Sequence, residues 1–294
     1  MNNKANILVF GASGFVGHHT VARLSNNGWK VFAQCLPDEK PVPYVGVNWF
    51  PCDLRQGIQE NLLPDDCDSI IYLAQSPEFR TFPEGADCVF AINVAAVMSS
   101  IEYARKLGAR RFIFASTGSI YDQNRVPCRE ADLVTTTARR GFYAASKLAA
   151  ELLLRPYEVC MSVIILRLFT PYGKGLNSSM LLPELVRRVR EKKPIDLHGQ
   201  DGMLMNPIYI DDLSRLMEKC LVYEKSVTLN VAGSEIVSLR EVSSYIGEVL
   251  GISPIFNINQ GPAPVLVGDI SLLKQELGFF PKVSMKEGIS SWLG

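Results

Sequence analysis

Tyr143 and Lys147, in the run Tyr143-Ala144-Ala145-Ser146-Lys147, are four positions apart and fall on one face of any helix that contains them. A free phenol, with a pKa of about 10, is a poor base at neutral pH. A positive charge held nearby favours the phenolate and brings that pKa down. A tyrosine tuned in this way can exchange a proton with an alcohol or ketone while hydride moves to or from a nicotinamide. Alone, the pair reads as a surface helix contact, and Thr117, a hydroxyl just past an apolar strand, reads as a turn residue. A glycine-rich turn far upstream changes both readings.

That turn is Gly11-Ala12-Ser13-Gly14-Phe15-Val16-Gly17, directly after the apolar run Ile7-Leu8-Val9-Phe10. The run suits a parallel strand buried on both faces. Glycines at 11, 14 and 17 remove side chains where the chain leaves the strand for a helix over 15–26. Their uses are a tight turn, close backbone approach to a phosphate, and close packing of helix on sheet. The free N–H groups and positive dipole end of such a helix hold a dinucleotide pyrophosphate. A glycine triplet is weak by itself; between a strand and a helix it has the context it needs.

The elements that must position these groups follow in order. Strands are predicted at 31–35, 47–50, 69–74, 111–115 and 162–169, with helices at 93–107 and 141–155, the latter carrying Tyr143 and Lys147. Strict alternation of this kind predicts a doubly wound parallel sheet, an α/β Rossmann fold. In that fold an acidic residue usually ends the second strand to meet the adenosine ribose. Cys35 and Leu36 stand there, so the choice between NAD and NADP is left open; Asp38 and Glu39 lie close by in what reads as a solvated loop. Beyond residue 170 the alternation breaks: a loop at 171–175, helices at 181–192, 239–250 and 271–277, and an apolar strand at 206–212 running into an acidic pair. The expected division is a dinucleotide-binding domain over 1–170 and a smaller C-terminal α/β substrate lobe over 171–294. Residues 205–232 are candidates to rejoin the main sheet, and the substrate is expected in the cleft between the lobes.

Composition narrows the partners. Thirty basic and thirty acidic residues cancel, which gives no electrostatic case for nucleic acid or an anionic membrane. Seven scattered cysteines without Cys-x-x-Cys spacing, and no secretory signal, read as reduced thiols of a cytoplasmic protein. His18, His19 and His198 offer no metal-ligand spacing, so no metal is expected. The apolar run at 163–166 ends at Arg167, far too short to span a bilayer. Leu148, Leu152 and Leu153 exceed what one sheet face needs, which predicts a homodimer through helices 93–107 and 141–155.

With these motifs in place, the chain resembles the extended short-chain dehydrogenases/reductases, the NAD(P)-dependent sugar epimerase/dehydratase group. The resemblance runs through the glycine turn, Asp53-Leu54, Leu73-Ala74, Asn93-Val94, Ser116-Thr117, Tyr143 with Lys147, Tyr209-Ile210-Asp211-Asp212-Leu213, and the tail from Asp269 to Gly278. It implies that Gly11, Ser13, Gly14, Phe15, Val16 and Gly17 cradle the cofactor and that Asp53 and Leu54 meet its adenine. Leu73, Ala74 and Gln75 would lie along its phosphate and nicotinamide half. It further implies that Asn93 supports the lysine, Thr117 bonds the reacting oxygen, Tyr143 is the acid/base, and Lys147 holds the nicotinamide ribose.

Departures from the family pattern sharpen the expectation. Gly118 and Ser119 follow Thr117 where the dehydratases carry an Asp-Glu pair, which counts against dehydration. Met205 and Asn206 stand where many nucleotide-sugar members carry an arginine, and Thr170, before Pro171, replaces a common asparagine. The resulting expectation is an NAD(P)-dependent epimerase or 4-ketoreductase of a sugar, with a nucleotide-linked sugar preferred. The alternatives are a dehydrogenase of a free sugar acid or other small carbonyl compound, and a non-catalytic nucleotide sensor on the same fold.

Overall fold

The computed structural model describes residues 6–121, 127–132, 134 and 141–294. The chain opens with β1 (Asn6–Phe10), α1 (Phe15–Asn26), β2 (Lys30–Cys35), β3 (Val47–Pro51) and β4 (Ser69–Tyr72). A long helical run follows: α2 (Ala86–Phe90), a π-helical turn (Ala91–Ala95) and α3 (Ala96–Leu107), stopped by Gly108 in the left-handed conformation. Next come β5 (Arg111–Thr117), α4 (Gly141–Leu154) and β6 (Ser162–Leu168). The remainder is β7 (Pro171–Tyr172), α5 (Leu181–Arg190), β8 (Ile195–His198), β9 (Leu204–Met205), β10 (Ile208–Tyr209), α6 (Ile210–Cys220) and β11 (Val227–Val231). It ends with β12 (Val237–Ser238), α7 (Leu239–Leu250), β13 (Phe256–Asn259), β14 (Val265–Leu266), α8 (Ser271–Leu277) and α9 (Met285–Leu293).

Two compact units emerge. One comprises Met1–Ile120, Thr135–Arg167 and Ser214–Leu229; the other comprises Tyr121–Val134, Leu168–Leu213 and Asn230–Gly294. The main sheet has seven strands in the order β11-β6-β5-β4-β1-β2-β3, with β1 parallel to both β2 and β4. This is the doubly wound arrangement the alternation predicts, and residues 227–231 do join the sheet, as its edge beside β6. The order reverses between β1 and β4, and ligands of such sheets bind at that switch point, beyond the carboxyl ends of the strands. β1, β4 and β5 are buried along nearly their whole length, as their continuous apolar runs require.

In the other unit, short pairings replace the large sheet. β7 runs parallel to β10, β8 to β13, and β9 lies between β12 and β14. α7 starts from a capping box in which Ser238 and Glu241 satisfy each other's backbone, and α9 from an equivalent Ser284–Glu287 box. The stretch read as a strand over 206–212 is β10 followed at once by α6. Asp211 and Asp212 belong to that helix's first turn, where acidic side chains suit the dipole. α9 and the two- to four-residue strands are likewise additions to the sequence reading; they are too short to announce a period.

The 22-residue helical run Ala86–Leu107 is long and apolar enough, by length and composition, to cross a membrane. Half of its most apolar stretch is buried, and α3 packs on β4 and β5, as a core helix does.

The glycine turn shows which of its glycines the fold demands. Gly11 has φ +74°, and a Cβ there would lie 2.5 Å from the Ala74 backbone nitrogen. A Cβ on Gly17 would lie 2.0 Å from the Gly11 carbonyl oxygen. Gly14 has an ordinary φ of −69°, and its added Cβ would meet only the Gly11 oxygen, at 3.3 Å. Accordingly, Gly17→Ala is expected to cost at least about 2 kcal/mol of stability, while Gly14→Ala stays within about 1 kcal/mol of the parent. Urea unfolding of the two variants checks the contrast.

Candidate active site

Every residue assigned a site role from the sequence lies in the unit built on the seven-stranded sheet. The structure links them through backbone and side-chain contacts. The first amide of the turn, Gly11 N–H, donates to the Gln34 side-chain oxygen at 2.8 Å. The Gln34 amide nitrogen in turn donates to the Cys35 and Cys52 carbonyls at 2.9 and 2.6 Å. One buried glutamine thus ties the end of β1 to the ends of β2 and β3. It was not anticipated; a lone polar residue in the apolar β2 was its only signal.

Asp53 follows β3 and caps the short 3₁₀ turn Leu54–Gln56, with Leu54 buried in the core. Its carboxylate is paired with Arg55 at 2.6 Å, and that bond is the main reason its pKa is held below the usual carboxylate range. At the end of β2, Cys35 is buried, and the Leu36 N–H donates to the Glu39 carboxylate at 2.9 Å. A carboxylate at this strand end suits ribose hydroxyls and repels a 2′-phosphate.

Past β4, Leu73 N–H donates to the Phe10 carbonyl at 2.9 Å, and Ala74 packs against Gly11. Gln75 donates to the Ser76 carbonyl at 3.1 Å, while its own side-chain oxygen is buried with no partner among the described residues. Asn93 sits in the π-helical turn, a feature often found at functional sites. Its side-chain nitrogen donates to the Ser146 hydroxyl at 3.0 Å and its oxygen accepts from Ser76 N–H at 3.4 Å. Asn93 thus bonds to Ser146, the residue before Lys147, whose hydroxyl donates in turn to the Tyr143 carbonyl at 2.8 Å.

The three reactive groups converge at the end of β5. The Thr117 hydroxyl acts on the Tyr143 phenol and favours its ionised form. The Thr117 oxygen accepts from Ser119 N–H at 3.1 Å, leaving its own proton for the phenol. Phe79 packs against the Tyr143 ring at 5.2 Å between centroids. Lys147 is buried; its amine donates to the Ala115 carbonyl at 3.0 Å and lies 5.0 Å from the centre of the Phe114 ring.

Burial dominates the electrostatics. It lowers the Lys147 pKa to about 7, opposed by the Glu151 carboxylate one turn on. It raises the Tyr143 pKa, opposed by the Thr117 hydrogen bond. The spacing leads one to expect a phenol tuned downward by the lysine; instead burial pushes it up, with the Thr117 hydroxyl as the opposing influence, and the phenol holds its proton at neutral pH.

These features fit a bound dinucleotide. Gly14 lacks a side chain for no reason of packing, the first turn of α1 carries no side-chain cap, and Gln75 buries an unpaired acceptor. The two departures at 205–206 have structural explanations. Met205 is buried, and Asn206 exchanges bonds of 2.8 and 3.0 Å with the Gly268 backbone. Thr170 adopts φ +45°, a conformation that asparagine takes more easily than a β-branched residue.

The model of the NAD dependent epimerase/dehydratase family matches residues 7–232. A probable UDP-glucuronate 4-epimerase of Rhizobium meliloti (strain 1021) is 25% identical over 326 residues, covering 97% of this chain and 95% of its own length. The UDP-glucuronic acid 4-epimerase of Bacillus cereus, solved with UDP-glucuronic acid and NAD, is 25% identical with a TM-score of 0.84, over 98% of this chain and 97% of that one. MoeE5, solved with UDP-glucose and NAD, is 27% identical with a TM-score of 0.83, over 98% of this chain and 97% of that one.

The depressed lysine has a signed consequence for stability. Between about 7 and the ordinary 10.5, the unfolded lysine keeps a proton that folded Lys147 has released. Stability therefore rises with pH across that window, and the full penalty applies below it. Urea unfolding at pH 7 and pH 9 is expected to show the parent gaining stability relative to Lys147→Met. An unchanged difference would mean that Lys147 is not desolvated.

Proposed function

Because the chain belongs to the NAD-dependent epimerase/dehydratase family, we propose that it is a nucleotide-sugar 4-epimerase or 4-ketoreductase with Tyr143 as its acid/base. The observation that carries this reading is the gathering at the end of β5 of the Thr117 hydroxyl, which acts on the Tyr143 phenol, and the buried Lys147 amine on the Ala115 carbonyl. Bound NAD supplies the hydride acceptor and donor. The chain's own residues do the rest. Gly14 and the start of α1 admit the pyrophosphate, Asp53 and Leu54 meet the adenine, and Gln75 offers its unpaired oxygen to the nicotinamide half. Lys147 holds the ribose. Thr117 orients the reacting oxygen and Tyr143 moves the proton; burial keeps the phenol protonated at neutral pH, the state from which it gives a proton to a ketone.

Relatives and structural neighbours named for UDP-sugars and 4-epimerisation support the substrate class and the carbon. Gly118 and Ser119 after Thr117 supply no carboxylate to eliminate water, which favours epimerisation or ketone reduction over dehydration. A second reading, a dehydrogenase of a free sugar acid, is favoured by one observation. The place of the usual arginine holds a buried methionine and an asparagine already bonded to Gly268. The apolar side chains Leu152 and Leu153 on α4 are 62% and 43% exposed, and they support a homodimer through α3 and α4.

Three measurements test these proposals. With the substrate found by screening UDP-glucuronic acid, UDP-glucose and free sugar acids, Tyr143→Phe is expected to lose about 10²–10⁴-fold in turnover while still binding NAD. Turnover near the parent rate would end the acid/base assignment. Gly14→Val is expected to remain folded and lose NAD affinity; unchanged affinity would remove the cofactor from this turn. Leu152→Glu with Leu153→Glu should convert a dimer into a monomer in sedimentation, and a parent that is already monomeric would contradict the dimer.

A further inference from the structure

Tyr143, Lys147 and Glu151 stand at i, i+4 and i+8 on α4, one face of the helix. All three are bonded to consecutive residues at the end of β5. Tyr143 meets the Thr117 hydroxyl, Lys147 the Ala115 carbonyl, and Glu151 accepts from the Ser116 hydroxyl. Glu151 is 1% exposed and Arg167, on the adjacent strand β6, is 4% exposed. The guanidinium donates to both carboxylate oxygens, at 2.7 Å and 3.1 Å. A buried ion pair of this kind gives a fold little net stability over well-packed apolar side chains of similar size. Its position, one turn from a lysine that burial tends to neutralise, gives it another use.

We propose that Glu151 is a positioning residue for the Thr117–Tyr143–Lys147 site, clamped by Arg167, that holds the end of β5 through Ser116 and favours the charged form of the Lys147 amine against burial. The proposal rests on the site reading above, but its test needs neither substrate nor cofactor. Among the described residues, the charged or titratable groups on the elements around the amine begin with Tyr143 and Glu151 on α4 and Arg167 on β6, which is paired with Glu151. Asp87 and Cys88 stand on α2. On α3, Lys106 pairs with Glu60, and Glu102 is engaged by Arg105 and Tyr157. After α4, Arg155 pairs with Glu158, and Arg111 opens β5 paired with Asp68. Glu151 is the carboxylate that acts on Lys147.

The test is an NMR titration of ligand-free protein carrying ¹³C-labelled lysine, with the Lys147 signal identified by its loss in Lys147→Met. Glu151→Gln keeps the length of the side chain and an acceptor for Ser116 but removes the charge. Its Lys147 midpoint is expected to fall by at least about one pH unit, so that the protonated fraction at pH 7 drops about fivefold. A folded Glu151→Gln protein whose Lys147 midpoint matches the parent's would overturn the proposal. Should that variant not fold, Glu151→Leu combined with Arg167→Met removes both charges together. A smaller fall in the same direction is expected there, because the charge of the guanidinium goes with that of the carboxylate, and an unmoved midpoint is equally fatal. A lowered melting temperature with an unmoved midpoint would assign the pair a purely structural role. If the titration succeeds while no sugar is turned over, the fault lies with the proposed reaction and not with this network.

Discussion

The approach of α1 to the end of β1 is the constraint on which the rest depends. Gly17 rests so close to the Gly11 carbonyl that no side chain fits between them, and Gly11 lies equally close to Ala74 beyond β4. These contacts draw the helix N-terminus onto the switch point of the sheet. There the backbone N–H groups of the first turn, free of any side-chain cap, face the space beyond the strands. Since β4 leads through Ser76 to Asn93, and Asn93 to Ser146 on α4, the same approach also fixes where the reactive side chains stand.

Electrostatics at that place is a contest between burial and local partners. A lysine and a tyrosine taken from water both drift toward their neutral forms, which moves one pKa down and the other up. Each drift is opposed by one neighbour: a carboxylate for the amine and a hydroxyl for the phenol. A group poised near neutrality costs the folded chain stability, a recurrent expense of sites arranged for proton transfer.

Much of this was legible in the sequence, for reasons that can be named. The sheet follows from apolar runs at regular spacing, and α1 from Phe15 to Asn26 stands where the glycine turn and the apolar face place it. Tyr143, Lys147 and Thr117 could be singled out because their types and spacing are distinctive, and the structure brings all three to the end of β5. Gln34 and Glu151 were not, since each works through partners distant in sequence and their types are common. Arg167 was visible only as an interruption of an apolar strand, and its partner on α4 gives that interruption its meaning. α6 was hidden because Ile208, Tyr209 and Ile210 read as one strand, whereas the helix begins at the third of them.

Gln34 has a consequence for how this chain can change over evolutionary time. It bears the hydrogen-bonding load of the turn, joining the ends of three strands from a buried position. The residue two places on, Leu36, is exposed and engages its surroundings through its backbone N–H. Support of the turn is thereby kept apart from the exposed side chain at the end of β2. Mutation can explore position 36 while the turn keeps its shape, so the surface at the end of β2 can change its chemistry without loss of the support beneath it.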